Sequence, residues 1–192
     1  KMPSGNYILD MGQNFSGWIR LKNISGKPGQ AITLRFAESL KPDGEIYVAN
    51  LRDAKVTDKY TFGDHALGAA GWEPSFVYHG FRYVELSSFP GTPQLSQFEG
   101  RLVYDALETT GRFETSNPVV NRIHRNAWWG IATNYKGMPV DCPQRNERQP
   151  WLGDRTVGQQ GESYLFNNGN LYAKWMKDIA ESQTPEGSVP DV

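Results

Sequence analysis

Fourteen residues carry the densest chemistry in this 192-residue chain: Asp141-Cys-Pro-Gln-Arg-Asn-Glu-Arg-Gln-Pro-Trp-Leu-Gly-Asp154. The segment holds three carboxylates (Asp141, Glu147, Asp154), Arg145, Arg148 and Trp151. These are the parts that glycoside cleavage uses. One carboxylic acid must stay protonated near neutral pH to give its proton to the leaving oxygen. Crowding by other carboxylates and partial burial raise a carboxyl pKa, while a nearby Arg lowers it. Ionised carboxylates hold sugar hydroxyls and stabilise positive charge at the anomeric carbon. Arg is a forked donor for vicinal hydroxyls, and Trp is a stacking wall that excludes water. Spacing alone does not say which carboxylate is the acid. The plain alternative is a solvated loop with internal Arg–carboxylate pairs.

Pro143, Pro150 and Gly153 stop this segment from being a regular helix, so an ordered loop leading into a helix is expected. The elements that position it differ on its two sides. From Tyr7 to about Tyr104 the pattern is β. Ile32, Leu34 and Phe36 alternate with Thr33 and Arg35, and Phe81 to Leu86 alternates similarly. Gly26-Lys-Pro-Gly29, Lys41-Pro-Asp-Gly44 and Phe89-Pro-Gly91 are turn signals between such runs. Short strands with regular turns predict an antiparallel β-sandwich over residues 1–105.

From about Leu107 the texture is helical, giving a second domain over residues 106–192. Asn117-Pro118 reads as an N-cap with Pro at the first helical position. Val120, Ile123, Ala127 and Ile131 recur at helical spacing, and Lys136-Gly137 is the expected stop. A short helix is expected up to about Phe166. Leu171, Trp175 and Ile179 mark a further helix with Lys174 and Lys177 outside. Two or three helices after a sandwich do not close an α-domain, so the helical part is expected to be truncated.

Lys plus Arg number 20 against 21 Asp plus Glu, a balance that argues against nucleic-acid and membrane-surface partners. No run approaches the roughly 18 apolar residues of a bilayer span. The single Cys142 excludes an intrachain disulfide framework and a multi-Cys metal site. Aromatic residues make up 12%, with six Trp. Sugar-binding surfaces and ordinary cores both use such rings.

Asp141-Cys-Pro-Gln-Arg145, Glu147-Arg148 and Trp151-Leu-Gly-Asp154 resemble the signature loop of the bacterial α-L-rhamnosidase family. The resemblance covers nearly the whole chain. Gly17-Trp-Ile-Arg20, Leu34-Arg-Phe-Ala-Glu38, Asn50-Leu-Arg52, Thr57-Asp-Lys-Tyr60, Trp72-Glu-Pro74 and Tyr78-His-Gly-Phe-Arg-Tyr-Val-Glu85 are similar to that family's β-sandwich domain. Gly111-Arg-Phe-Glu-Thr-Ser-Asn-Pro118 and Thr184-Pro-Glu-Gly-Ser-Val-Pro190 are similar to the first helices of its (α/α)6 barrel. The resemblance implies that Glu147 is the general acid of an inverting glycoside hydrolase. It implies that Asp141, Arg145 and Asp154 bind rhamnose hydroxyls and that Trp151 lines the pocket. It implies a rhamnose-containing glycoside or polysaccharide as partner, no metal or organic cofactor, and favours a periplasmic or secreted home. Two departures stand out. Asn146 and Gln149-Pro150 occupy places where many relatives carry an acidic residue and Leu-Gly. The family's general base, a Glu much further along, has no counterpart: Glu162 and Glu186 are available carboxylates, but neither stands in a context resembling it.

Other candidates are weaker. The three His are scattered, with no paired-ligand spacing, so His79 and His124 read as structural. Cys142 lacks a basic partner for a nucleophilic role. Of Trp128 and Trp129, one ring is expected in the core. A non-catalytic carbohydrate-binding or structural module is the rival to the hydrolase reading. Aglycone, linkage and oligomeric state are not written in the sequence.

Overall fold

The computed structural model describes residues 1–192. Its packing falls into two units, residues 1–103 with 143–146, and residues 104–142 with 147–192. No helix is long and apolar enough to cross a membrane.

The first unit is an antiparallel β-domain of sandwich type. Its strands are β1 (Tyr7–Leu21), β2 (Ala31–Ala37), β3 (Ser39–Leu40), β4 (Ile46–Tyr47), β5 (Thr57–Thr61), β6 (His79–Ser87) and β7 (Phe98–Leu102). Five of them form one sheet in the order β5-β2-β6-β1-β7, and β3 pairs with β4 as a separate ribbon. In β2 the alternation of the sequence is realised, with Ile32, Leu34 and Phe36 buried and Thr33 and Arg35 not. In β6 it holds only in part. Phe81, Val84 and Leu86 are all buried, so the buried positions change parity between Phe81 and Val84. The β1 register shifts opposite this point, between Asp10 and Phe15. Four β1 residues, 11–14, stand there against Arg82 alone, an irregularity that takes residues out of the ladder and re-aims the side chains beyond it. Outside the strands, Ile24, Leu51, Val56 and Phe62 are also buried and complete the core.

His79 is buried in this unit, its ring stacked on Phe36 at 4.1 Å and its Nε2 2.9 Å from Asp58 Oδ1. It packs the sheet end. Next to it, Gly80 lets the segment 143–146 lie against the strand: a Cβ there would come within 2.8 Å of Gln144 Cβ and 2.9 Å of the Gln144 backbone. Asn146 fixes the same segment, donating through Nδ2 to Asp53 Oδ1 at 2.7 Å, while Arg52 donates to the Asn146 carbonyl at 3.4 Å. The Asn146 hydrogen bond holds the Asp53 carboxyl below its ordinary value.

The second unit contains α1 (Pro118–Ala132), α2 (Leu152–Leu165) and α3 (Gly169–Glu181). Asn117 caps α1 through its side chain, which accepts from the Val119 and Val120 amides, with Pro118 at the first helical position. The helix stops at Ala132, short of the expected Lys136-Gly137. Polar side chains take over its last carbonyls. Thr133 Oγ1 donates to Trp129 O at 2.8 Å, and Asn134 Nδ2 to Gly130 O at 2.9 Å. Gly137 instead sits in the following turn at φ 76°, its amide held by the Asp105 carboxylate. Only Phe166 to Asn168 separate α2 from α3, the short connection of neighbouring antiparallel helices. The core of the unit is Ala132, Tyr135, Leu165, Phe166 and Leu171, with Trp128 packed against it. Trp128 meets Phe166 at 5.7 Å and donates its indole N–H to Thr109 Oγ1. His124 lies on Phe113 at 5.2 Å.

Candidate active site

The loop from Asp141 is pinched shut by its own backbone. The Asp141 amide donates to the Gln149 carbonyl at 2.9 Å, and the Gln149 amide donates to Asp141 Oδ1 at 3.0 Å. Arg148 inside the pinch has φ 58°, a left-handed conformation that a long side chain rarely adopts and that costs about 1–3 kcal/mol. The sharp turn brings the flanking acids together. The carboxylates of Asp141 and Glu147 and the thiol of Cys142 present atoms that all lie within 4.8 Å of one another.

α2 begins at Leu152, earlier than the loop was expected to end, so Asp154 is in its first turn rather than in the loop. A carboxylate there is favoured by the helix dipole. Trp151 is the last residue before the helix. Its indole N–H donates to Glu147 Oε1 at 3.1 Å. Cys142 is buried and its thiol donates to Asp141 Oδ2 at 3.0 Å; Glu147 Oε2 lies 3.9 Å from the same sulfur. A thiol that donates keeps its proton, whereas a metal ligand or nucleophile is the thiolate.

The Asp141 carboxyl is held below its ordinary value. Burial pushes it up, but hydrogen bonds from the Cys142 thiol, the Gln149 amide and the Glu147 side chain outweigh that push. Glu147 is half-buried, not sealed in a filled core.

Of the five residues singled out by sequence, Asp141, Glu147 and Trp151 stand together in the second unit. Asp154 is exposed on the first turn of α2. Arg145 is half-buried in segment 143–146 and belongs to the first unit.

Sequence reading missed a buried polar cluster behind the loop. Glu162 accepts from Arg155 Nη1 at 2.5 Å, from the Tyr135 hydroxyl at 2.7 Å and from the Tyr172 hydroxyl at 2.6 Å. Burial and the Glu162 charge raise both phenols above their ordinary values, so they act as donors. The available signal was the spacing of Arg155 and Glu162, two turns apart on one helix face. Lys136 was missed as well. Its ammonium donates to the Thr133 and Tyr135 carbonyls, and burial pushes it down to about 8, with Asp105 opposing and Arg148 assisting.

Residues 1–104 match the bacterial alpha-L-rhamnosidase concanavalin-like domain, and residues 108–192 match the bacterial alpha-L-rhamnosidase 6 hairpin glycosidase domain. An alpha-L-rhamnosidase of Streptomyces avermitilis is 42% identical over 188 residues, 98% of this chain and 18% of that protein. One from Formosa agariphila is 39% identical over 189 residues, 96% of this chain and 20% of that protein. The crystal structure of the S. avermitilis enzyme complexed with L-rhamnose superposes with a TM-score of 0.94 at 41% identity, over 98% of this chain and 18% of that one. The native Aspergillus terreus enzyme superposes at 0.93 and 36% identity, over 100% of this chain and 22% of that one. The chain thus spans about a fifth of the length of these relatives.

Proposed function

The chain belongs to the bacterial α-L-rhamnosidase family, and from that premise we propose that it supplies the acid half of a site that hydrolyses terminal α-linked L-rhamnose from glycosides or polysaccharides with inversion. Glu147 protonates the glycosidic oxygen. Asp141, Arg145, Trp151 and Asp154 hold the sugar: the carboxylates accept from its hydroxyls, Arg145 donates to them, and the Trp151 ring lies against its apolar face. The general base lies outside this chain and draws a proton from water on the opposite ring face. In an inverting site the two carboxyls stand about 6.5–9.5 Å apart, which leaves room for that water. This acid–base chemistry needs no metal or organic cofactor.

The observation that supports the reading is the meeting of the Asp141 and Glu147 carboxyls at Cys142, with atoms within 4.8 Å of one another, and the Trp151 indole N–H on Glu147 Oε1 at 3.1 Å. A carboxyl oriented by a ring N–H beside a second carboxyl has the placement that a proton donor and a hydroxyl-binding partner need. Glu162 is unsuited to the missing role, because both its oxygens are occupied by Arg155, Tyr135 and Tyr172. The test is Glu147→Gln in a full-length protein carrying this chain. General-acid loss should lower turnover of an alkyl rhamnoside by about 10²–10⁴-fold, and the first-formed rhamnose should have the anomeric configuration opposite to the substrate. Turnover near the wild-type rate would remove Glu147 from the mechanism.

A further inference from the structure

We propose that Glu162 and Arg155 are positioning residues for the acid loop, an inference that rests on the reading of Glu147 above. Arg155 uses its guanidinium as a fork. Nη1 is held by Glu162 Oε1, and Nη2 donates at 2.6 Å to the carbonyl of Val140, the residue directly before Asp141. Arg155 also lies in the first turns of α2, just after Trp151 and Asp154. The same helix therefore carries the loop's exit in its backbone and holds the loop's start through one side chain.

Glu162 is what keeps that fork aimed. It is 4% exposed and accepts three hydrogen bonds, from Arg155, Tyr135 and Tyr172. Tyr135 is fully buried, and Asn168 Nδ2 lies 3.4 Å from its hydroxyl. The cluster ties α2 to the first residues of α3 and to the turn after α1. A buried ion pair is a poor choice for stability alone, since apolar residues of similar volume usually do as well or better. What an apolar pair does not provide is a grip on a carbonyl at the end of a loop. Loss of that grip leaves Asp141 and Glu147 free to move relative to Trp151. A misplacement of about 1 Å at a reacting group costs about 10²-fold in rate.

The test compares two rhamnosides in the full-length protein. Methyl α-L-rhamnoside has a poor leaving group and needs the acid. 2,4-Dinitrophenyl α-L-rhamnoside has a good one and does not. Arg155→Lys keeps the buried charge but loses the fork, and should lower kcat for the methyl glycoside about 10–100-fold. The dinitrophenyl substrate bypasses proton donation and should lose less by a factor of about 5 or more, keeping only the share of the loss that comes from Asp141's hold on the sugar. Tyr172→Phe, which leaves Glu162 its other partners, should show the same selectivity at smaller size, and carries the test if Arg155→Lys does not fold. Equal losses on both substrates would reduce the pair to a structural role and overturn the proposal. Glu147→Gln is run in parallel. Selectivity there without selectivity in the positioning variants overturns only this inference; no selectivity in Glu147→Gln overturns the acid assignment and this inference with it.

Discussion

Gly80→Ala tests whether the sheet dictates where the segment before Glu147 lies. Gly80 has no unusual φ, so the only obstacle to alanine is space. The added carbon would meet Gln144 Cβ at 2.8 Å and its Cα and amide nitrogen at 2.9 Å. Real contacts need at least about half an ångström more, and two of these atoms are backbone, so the strand or segment 143–146 must yield. Overpacking of this kind costs about 1–3 kcal/mol. Against it, alanine restricts the unfolded chain and returns about 0.4–1 kcal/mol, leaving a net loss of about 1–2 kcal/mol. For a protein of this size that is a fall in Tm of roughly 3–6 °C. Gly63 and Gly68 provide matched controls, because nothing lies within 4 Å of a Cβ at either and neither has positive φ. Their alanine variants should be neutral or gain about 0.4–1 kcal/mol. The assay is urea unfolding followed by far-UV circular dichroism. If Gly80→Ala is as stable as Gly63→Ala, the segment is not seated on β6 as described.

Two further outcomes concern pH. Because the folded Asp141 carboxyl is lowered, the stability it contributes is present above its unfolded value of about 3.9 and is lost as pH falls through the folded value. Asp141→Asn should therefore flatten the acid limb of unfolding free energy below about pH 4; unchanged slopes would refute the hydrogen bonds assigned to it. Lys136 gives the same sign of slope in a higher pH window. Its folded value is about 8 against an ordinary 10.5, so between these the unfolded state binds more protons and stability rises with pH. Lys136→Met should abolish that rise across roughly pH 8 to 10 in urea-unfolding measurements, and a persistent rise in the variant would remove Lys136 as its source.

The sequence showed what depends on short-range rules. Alternation in β2, the Asn117 cap with Pro118, and the apolar spacing of α3 follow from local stereochemistry, and each is present. It also showed the residue types of the acid loop. Tertiary choices were hidden. Nothing in Thr133 and Asn134 announces that they end α1 before Gly137 by capturing its carbonyls. The parity change in β6 answers a register shift in another strand. Glu162 looked like an available carboxylate because its three donors come from two helices and a turn.

The loop's irregularity is what brings its carboxyls together. In a helix, residues six apart in sequence, such as Asp141 and Glu147, would point roughly 120° away from each other. The Asp141–Gln149 pinch and the left-handed Arg148 reverse the chain instead, so that both carboxyls meet at Cys142. A reversed loop would ordinarily be mobile. Here each end is tied to α2, the exit by continuity through Trp151 and the start by Arg155 on Val140. Glu147 thus has a loop's freedom of geometry with a helix's rigidity. The indole N–H on Glu147 Oε1 is one more such tie, because a ring fixed at a helix start holds the carboxyl's orientation as well as its place.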